Sequence, residues 1–181
     1  MVTRRGLMAG LALAALLRPG AAPAQDNALE YAVKATYLYK FAPFVHWPES
    51  APASVTGFEI CIVGHDPFGP VLDEAVRGEQ VRGRPIVVRR LSEISGAHGC
   101  QIVFAGGSAA QPAPDILRAV NGQSVLTVTD SAVSPEAKGI VHFVIHDDRV
   151  RFEIDDRAAA ENGLMISSKV LSLALSVTPR T

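Results

Sequence analysis

Four short runs of β-branched and aromatic residues, each closed by a turn signal and separated by segments able to coil into short helices, constrain this chain more than any other feature. Residues 58–63 are apolar but for Glu59 and end at Gly64. Residues 85–90 carry Ile86, Val87 and Val88 without a break. Residues 100–105 end at Gly106-Gly107, and residues 124–129 follow the helix-stopping pair Asn121-Gly122. Continuous apolar runs of this length suit strands buried on both faces. The spacers at 67–77 and 114–120 predict helices, and 92–96 a helical turn. Strands alternating with helices predict a parallel sheet covered on both sides.

The last third changes pattern. Residues 140–145 and 149–154 flank His146-Asp147-Asp148 and predict an antiparallel hairpin. In the second strand Arg149, Arg151 and Glu153 alternate with Val150, Phe152 and Ile154. One face is apolar and the other charged, as on an edge open to water. Asp155 or Asp156 can cap a helix over 157–162 that Gly163 stops. A final helix is expected over 166–177, with Val170, Leu171, Ala174 and Leu175 inward. Near the start, Leu29, Val33, Tyr37 and Phe41 recur every four residues, joined by Leu38 and Val45, and predict a helix over 27–45 that Trp47-Pro48 ends. Tyr31, Tyr37, Tyr39, Phe41, Phe44 and Trp47 crowd this segment. Their stripe reads either as core packing or as a surface partly reserved for a partner. A Pro-, Ser- and Ala-rich linker follows at 49–57. The fold class is α/β: a single domain with a mostly parallel sheet of about six strands, helices on both faces and a C-terminal antiparallel hairpin.

The first 24 residues read as a secretory signal peptide. Arg4 and Arg5 precede an uncharged apolar run at 7–17, and Ala22-Pro23-Ala24 offers small residues for cleavage. The run is shorter than the roughly 20 residues a bilayer demands. Thr3-Arg4-Arg5-Gly6-Leu7-Met8 also fits a twin-arginine signal, so both export routes stay open. The expected organisation is a leader over 1–24 and one exported domain over 25–181. The leader holds Arg4, Arg5 and Arg18 and no acid. Of 17 basic and 18 acidic side chains, 14 and 18 then remain, a formal charge of −4. That balance argues against nucleic acid and anionic lipid as partners, and no later run is long enough for membrane insertion.

Cys61 and Cys100 are the only cysteines. In an oxidising compartment the pair reads as one disulfide, against the alternative of two buried thiols. If bonded, the first strand must neighbour the third, since bonded Cα atoms lie about 5.5 Å apart, close to one strand spacing. Neither cysteine has a partner at zinc-ligand spacing, so no metal is expected.

Gly64-His65-Asp66-Pro67-Phe68-Gly69 follows the first strand, where open α/β sheets bind ligands. It lacks the Lys and Ser/Thr of a phosphate loop. Gly106-Gly107-Ser108 and Asp130 follow the third and fourth strands. Gly64, His65, Asp66, Gly106, Gly107 and Asp130 are therefore the candidate rim of a small-molecule site, with turns and caps as the plainer reading. His142 and His146 share a strand face but stand roughly 13 Å apart, too far to share a metal. No nucleophile elbow is present, and no catalytic constellation assembles. Neither an enzyme nor a cofactor is expected.

Taken together the motifs resemble the YfiR-like family of periplasmic proteins. The resemblance runs from Tyr31-Ala32-Val33-Lys34-Ala35-Thr36-Tyr37-Leu38-Tyr39-Lys40-Phe41 and His46-Trp47-Pro48 through Phe58 to Gly64, Asp66 to Gly69, Gly83-Arg84-Pro85 and Cys100 to Phe104. It continues in Val125 to Val128, Gly139-Ile140, Val150 to Ile154 and Ile166-Ser167-Ser168-Lys169-Val170-Leu171. It implies a single α/β domain that works in the periplasm, often as a homodimer, and whose paired cysteines are bonded. It also implies a repressor that contacts the periplasmic sensor region of an inner-membrane diguanylate cyclase and limits cyclic-di-GMP signalling and biofilm formation. A periplasmic small-molecule binder is the alternative. Partner binding needs apolar anchors ringed by polar groups. The expected anchors are Ile140 and Phe143 on one hairpin strand and Arg151, Phe152, Glu153 and Ile154 on the other. A protected edge with Phe152 in the core is the competing reading. The aromatic helix is a second candidate surface, for self-association.

Overall fold

The computed structural model describes residues 22–51 and 54–180. The leader expected over 1–24 lies outside the described residues except for Ala22, Pro23 and Ala24. These open α1 (Ala22–Lys40).

The chain then makes a short 3-10 turn (Ala42–Phe44), β1 (Val45–His46), β2 (Phe58–Gly64), α2 (Pro70–Val76), β3 (Gln80–Val81), β4 (Arg84–Leu91), a second 3-10 turn (Ile94–Gly96) and β5 (Ile102–Gly107). It continues with α3 (Ala113–Ala119), β6 (Leu126–Asp130), β7 (Val141–His146), β8 (Arg149–Asp155), α4 (Asp156–Glu161), β9 (Met165–Ile166), α5 (Ser168–Leu171) and β10 (Ser176–Thr178). Eight strands form one sheet in the order β10-β8-β7-β6-β5-β2-β4-β3, and β1 pairs with β9 in a separate two-stranded sheet. The five strands β4, β2, β5, β6 and β7 run parallel, and β7–β8 and β3–β4 are antiparallel hairpins. The single mixed α/β domain with its mostly parallel sheet is the architecture expected. The sheet is wider than six strands because two- and three-residue strands were added at its margins.

Side-chain alternation gives the sheet two cores. Ile60, Ile62, Ile102, Phe104, Leu126 and Val128 pack with α1 and α2, alongside Leu38, Phe41, Phe68 and Leu72. Cys61, Val63, Val103 and Ala105 face the other way and pack with Ile116 of α3 and Val125. Cys61 is bonded to Cys100, with Cα atoms 6.0 Å apart. The bridge joins β2 to the residues entering β5, the neighbour it required.

Three local readings change. The helix expected over 27–45 stops at Lys40, and Val45 and His46 extend to pair with Ile166 and Met165. The final helix expected over 166–177 is only α5; the chain then leaves it to form β10 alongside β8. Ser167 caps α5, the Ser172 hydroxyl donates to the Lys169 carbonyl, and the Leu175 N–H donates to the Phe152 carbonyl at 2.7 Å. An open β8 edge offers backbone partners that an isolated helix period does not foresee. Consequently β8 is not the bare edge expected. β10 covers Glu153, Ile154 and Asp155, whereas at Arg149–Arg151 the strand pairs only with β7. The hairpin turn itself is two residues long, Asp147 and Asp148, both at positive φ (50° and 56°). That backbone twists as the flanking strands do. Asp155 is the residue that caps α4, accepting from the Ala158 N–H at 2.9 Å.

Candidate partner-binding surface

The apolar repeat of α1 follows from helix geometry. At 3.6 residues per turn, steps of four advance about 40° each, so a strict i, i+4 series winds around the cylinder. Leu29 lies outward, 67% exposed; Val33 and Tyr37 are half-buried; Phe41 reaches the core. The inward stripe is Ala35, Leu38, Tyr39 and Ala42. The aromatic stripe is thus core packing at its Phe41 end and exposed at its Leu29 end.

The outward half meets the tip of the β7–β8 hairpin. Leu29, Val33 and Tyr37 face Ile145 and Val150 across an open groove rimmed by Glu30, Asp148 and Arg149, about 710 Å³ in volume. Ile145 is 47% exposed. Beneath the groove the Tyr37 ring lies 5.5 Å from Phe152 and 6.4 Å from Phe143. Phe41 lies 5.1 and 6.1 Å from the same two rings. The two surfaces proposed from the sequence, helix and hairpin, are thus one continuous patch.

The expected anchors lie below and behind this patch. Ile140, Phe143, Phe152 and Ile154 are buried in the core. Phe143 and Phe152 pack under Tyr37 and Phe41 and support the groove floor without reaching its mouth. Arg151 and Glu153 lie on the opposite face of the hairpin and are half-buried. Glu153 accepts from Lys138 at 2.7 Å, which holds its carboxyl below the usual carboxylate range. The exposed apolar groups, Leu29 and Ile145, were legible only as continuations of the helical and strand periods.

On that opposite face His142 pairs in register with Glu153, and its Nδ1 lies 2.8 Å from the Thr129 hydroxyl, which also accepts from the Gly139 N–H. Burial, aided by Lys138 and Lys34 and opposed by Glu153 and Asp130, holds the imidazole below its ordinary value. Unfolded histidine titrates near about 6.5. Below that pH the unfolded chain binds the extra proton first, so stability falls as pH drops towards the folded value. Urea unfolding from pH 7 to 5 should show this decline, and His142→Gln should flatten it; an unaltered slope in the variant rejects the assignment.

The candidate ligand rim is brought together in part. Gly64 and Gly107, at φ +83° and +68°, let the ends of β2 and β5 touch: a Cβ on Gly64 would lie 2.3 Å from the Gly107 carbonyl oxygen, and one on Gly106 only 1.9 Å from that of His65. The His65 N–H donates to Gly107 at 2.8 Å. Asp66 accepts from the Phe68 and Gly69 N–H groups and pairs with Arg90 at 2.7 Å. Where doubly wound folds bind ligands, the turn after β2 closes against the end of β5, while Gly106, Gly107 and Ser108 also border an open pocket of about 490 Å³ shared with residues 112–114 and 133–137. Asp130 does not join this rim. It is fully buried and accepts from Lys34, itself fully buried, at 2.6 Å and from the Ala132 N–H at 3.0 Å. Lys34 also bonds Glu30 and sits 4.8 Å over the Tyr31 ring. Burial, then Asp130 and Glu30, push the Tyr31 phenol well above its ordinary value. The sequence offered one hint of this cluster, a lysine inside an apolar helical stripe.

Glu59, Cys61 and Cys100 lie close enough together to suggest metal ligands. The two sulfurs are spent on each other, and Glu59 is held by Arg89 at 2.6 Å. Burial alone would raise the Glu59 carboxyl, but hydrogen bonds from Ser54, Arg89 and Thr56 keep it below the usual range.

The family model described as YfiR/HmsC-like matches residues 31–175. The chain belongs to the YfiR/HmsC-like family. A search of curated proteins found no match. The span that matches this family includes the α1 face from Tyr31 onward, both cysteines and the whole hairpin. Leu29, at the outer end of the groove, lies just before it. No helix among the described residues is long and apolar enough to cross a membrane.

Proposed function

We propose that this YfiR/HmsC-like protein is an exported, non-catalytic repressor. On this reading the leader is cleaved after Ala24, and the domain at 25–181 works in the periplasm, as a homodimer. There it holds the periplasmic sensor region of an inner-membrane diguanylate cyclase in its quiet state, limiting cyclic-di-GMP signalling and biofilm formation. Family membership supports the class of function. The observation that supports the surface is the α1–hairpin groove, an apolar floor at Leu29, Val33, Tyr37, Ile145 and Val150 with charges at its rim. That is the anatomy of a binding patch. The stretch of β8 at Arg149–Arg151 beside it can add a strand from the partner. Arg151 and the Lys138–Glu153 pair on the other hairpin face would fix register. The small-molecule alternative would use the open pocket beside Gly106 and Gly107.

Leu29→Glu with Ile145→Glu places two charges on the apolar floor while leaving the core untouched. Central contacts of this kind are worth about 2 kcal/mol or more each. Capture of the cyclase sensor region from crosslinked envelopes should fall by at least about tenfold, and cellular cyclic-di-GMP should rise. Glu153→Arg should weaken restraint through the second face. Normal protein level with an unchanged cyclase signal in all three substitutions rejects the proposal. Recovery of a periplasmic chain that begins at Gln25 tests the export step separately.

A further inference from the structure

Away from the α1–hairpin groove, the small β1–β9 sheet borders a second open trough. It is walled by Phe44, His46, Arg82, Met165 and Lys169, and its volume is about 500 Å³. His46 and Met165 are cross-strand partners, and both side chains are exposed. Val45 and Ile166, the next pair, turn into the core. Met165 is 55% exposed and Phe44 38%, so the trough carries two apolar contacts open to water.

Its charge is of one sign. No acidic residue lines it, and neither Arg82 nor Lys169 has an ion-pair partner among the described residues. By contrast Lys40 is paired with Glu79, and Arg84 donates to the Ser54 and Gly57 carbonyls. Among the described residues Arg82 donates to the Val45 carbonyl at 3.3 Å, which draws the guanidinium to the trough wall. Its backbone adds an independent observation. Arg82 and Gly83 form the two-residue β3–β4 turn with φ of +52° and +78°. Asn, Asp or Gly is the inexpensive residue at the first of these positions. An arginine held there against that preference is a candidate for function.

We propose that this trough docks an extended, acidic and apolar peptide segment of a partner protein, its carboxylates meeting Arg82 and Lys169 and its apolar side chains meeting Phe44 and Met165. On a chain with more acids than bases, this unpaired positive patch is complementary to such a segment. Its apolar walls favour a peptide over a bare anionic headgroup. The trough shares no residue with the α1–hairpin groove, so it stands or falls separately.

The test is fluorescence anisotropy on the purified protein with a labelled heptapeptide alternating glutamate and leucine. Binding should weaken as salt is raised, and a lysine–leucine heptapeptide should bind at least about tenfold less well. Arg82→Asn, which suits the turn better than arginine, and Lys169→Gln, at an exposed position, should together lower affinity about tenfold or more without lowering Tm. Leu29→Glu should leave it unchanged. No binding by the unsubstituted protein, equal binding of both peptides, unchanged affinity in the double variant, or capture by phosphatidylglycerol vesicles in place of the peptide would each overturn the proposal.

Discussion

Replacing Lys34 by methionine is expected to destabilise the protein by about 3–5 kcal/mol, the usual cost of leaving one member of a buried ion pair alone. Methionine keeps most of the stem volume and removes the ammonium. Asp130, fully buried at the end of β6, then loses the cation 2.6 Å away and keeps the Ala132 N–H. Glu30, partly exposed, can turn to water; Asp130 cannot. Chemical denaturation should show the loss at unchanged m, with Tm lower by on the order of 10 °C. Adding Asp130→Leu to Lys34→Met should recover much of it, because a buried pair replaced by apolar groups is often close to neutral. A loss under about 1 kcal/mol for Lys34→Met would show that the pair is not acting as a buried one. The consequence reaches the binding surface. Lys34 pins α1 to the sheet between Leu29 and Tyr37 and next to Val33, so loosening it should also blur the groove.

The second large effect is expected from Cys61→Ala with Cys100→Ala. The bridge spans a sequence separation of 39 residues, worth about 4 kcal/mol in the chain-entropy model. Both sulfurs lie in the core beside Val63, Val103 and Ile116, so alanine also leaves small voids. The loss should centre on the strap at residues 92–100. Arg89 ties this strap down by donating to the Gly96 and His98 carbonyls while pairing with Glu59. Hydrogen exchange should quicken there first. Equal stability of the bridged protein and the double alanine variant would mean that the closed loop confers nothing on the folded state.

The α/β class and the neighbouring of β2 and β5 were legible in the chain. Buried parallel strands are continuous apolar runs, and a disulfide demands adjacency. The hairpin was legible too, because Arg149, Arg151 and Glu153 alternate with Val150, Phe152 and Ile154 at a period of two. The 166–177 segment was not. Its apolar residues satisfy a helical period, yet the Val177 end follows the β8 edge, since unpaired backbone groups on a strand outweigh weak local propensity. Nor was the depth of each hairpin residue. Period two separates faces, but it does not say that α1 would cover Phe143 and Phe152 and leave Ile145 bare.

Local pattern, then, determined what kind of elements this chain makes and which strands must touch, because periodicity and a covalent bridge act over short reach or by direct linkage. The tertiary structure alone decided what became surface. Whether Leu29 meets solvent, whether Lys34 finds Asp130, and whether the glycine turns after β2 and β5 leave a crevice or close it all depend on where distant elements come to rest. Burial and ion pairing are properties of that packing.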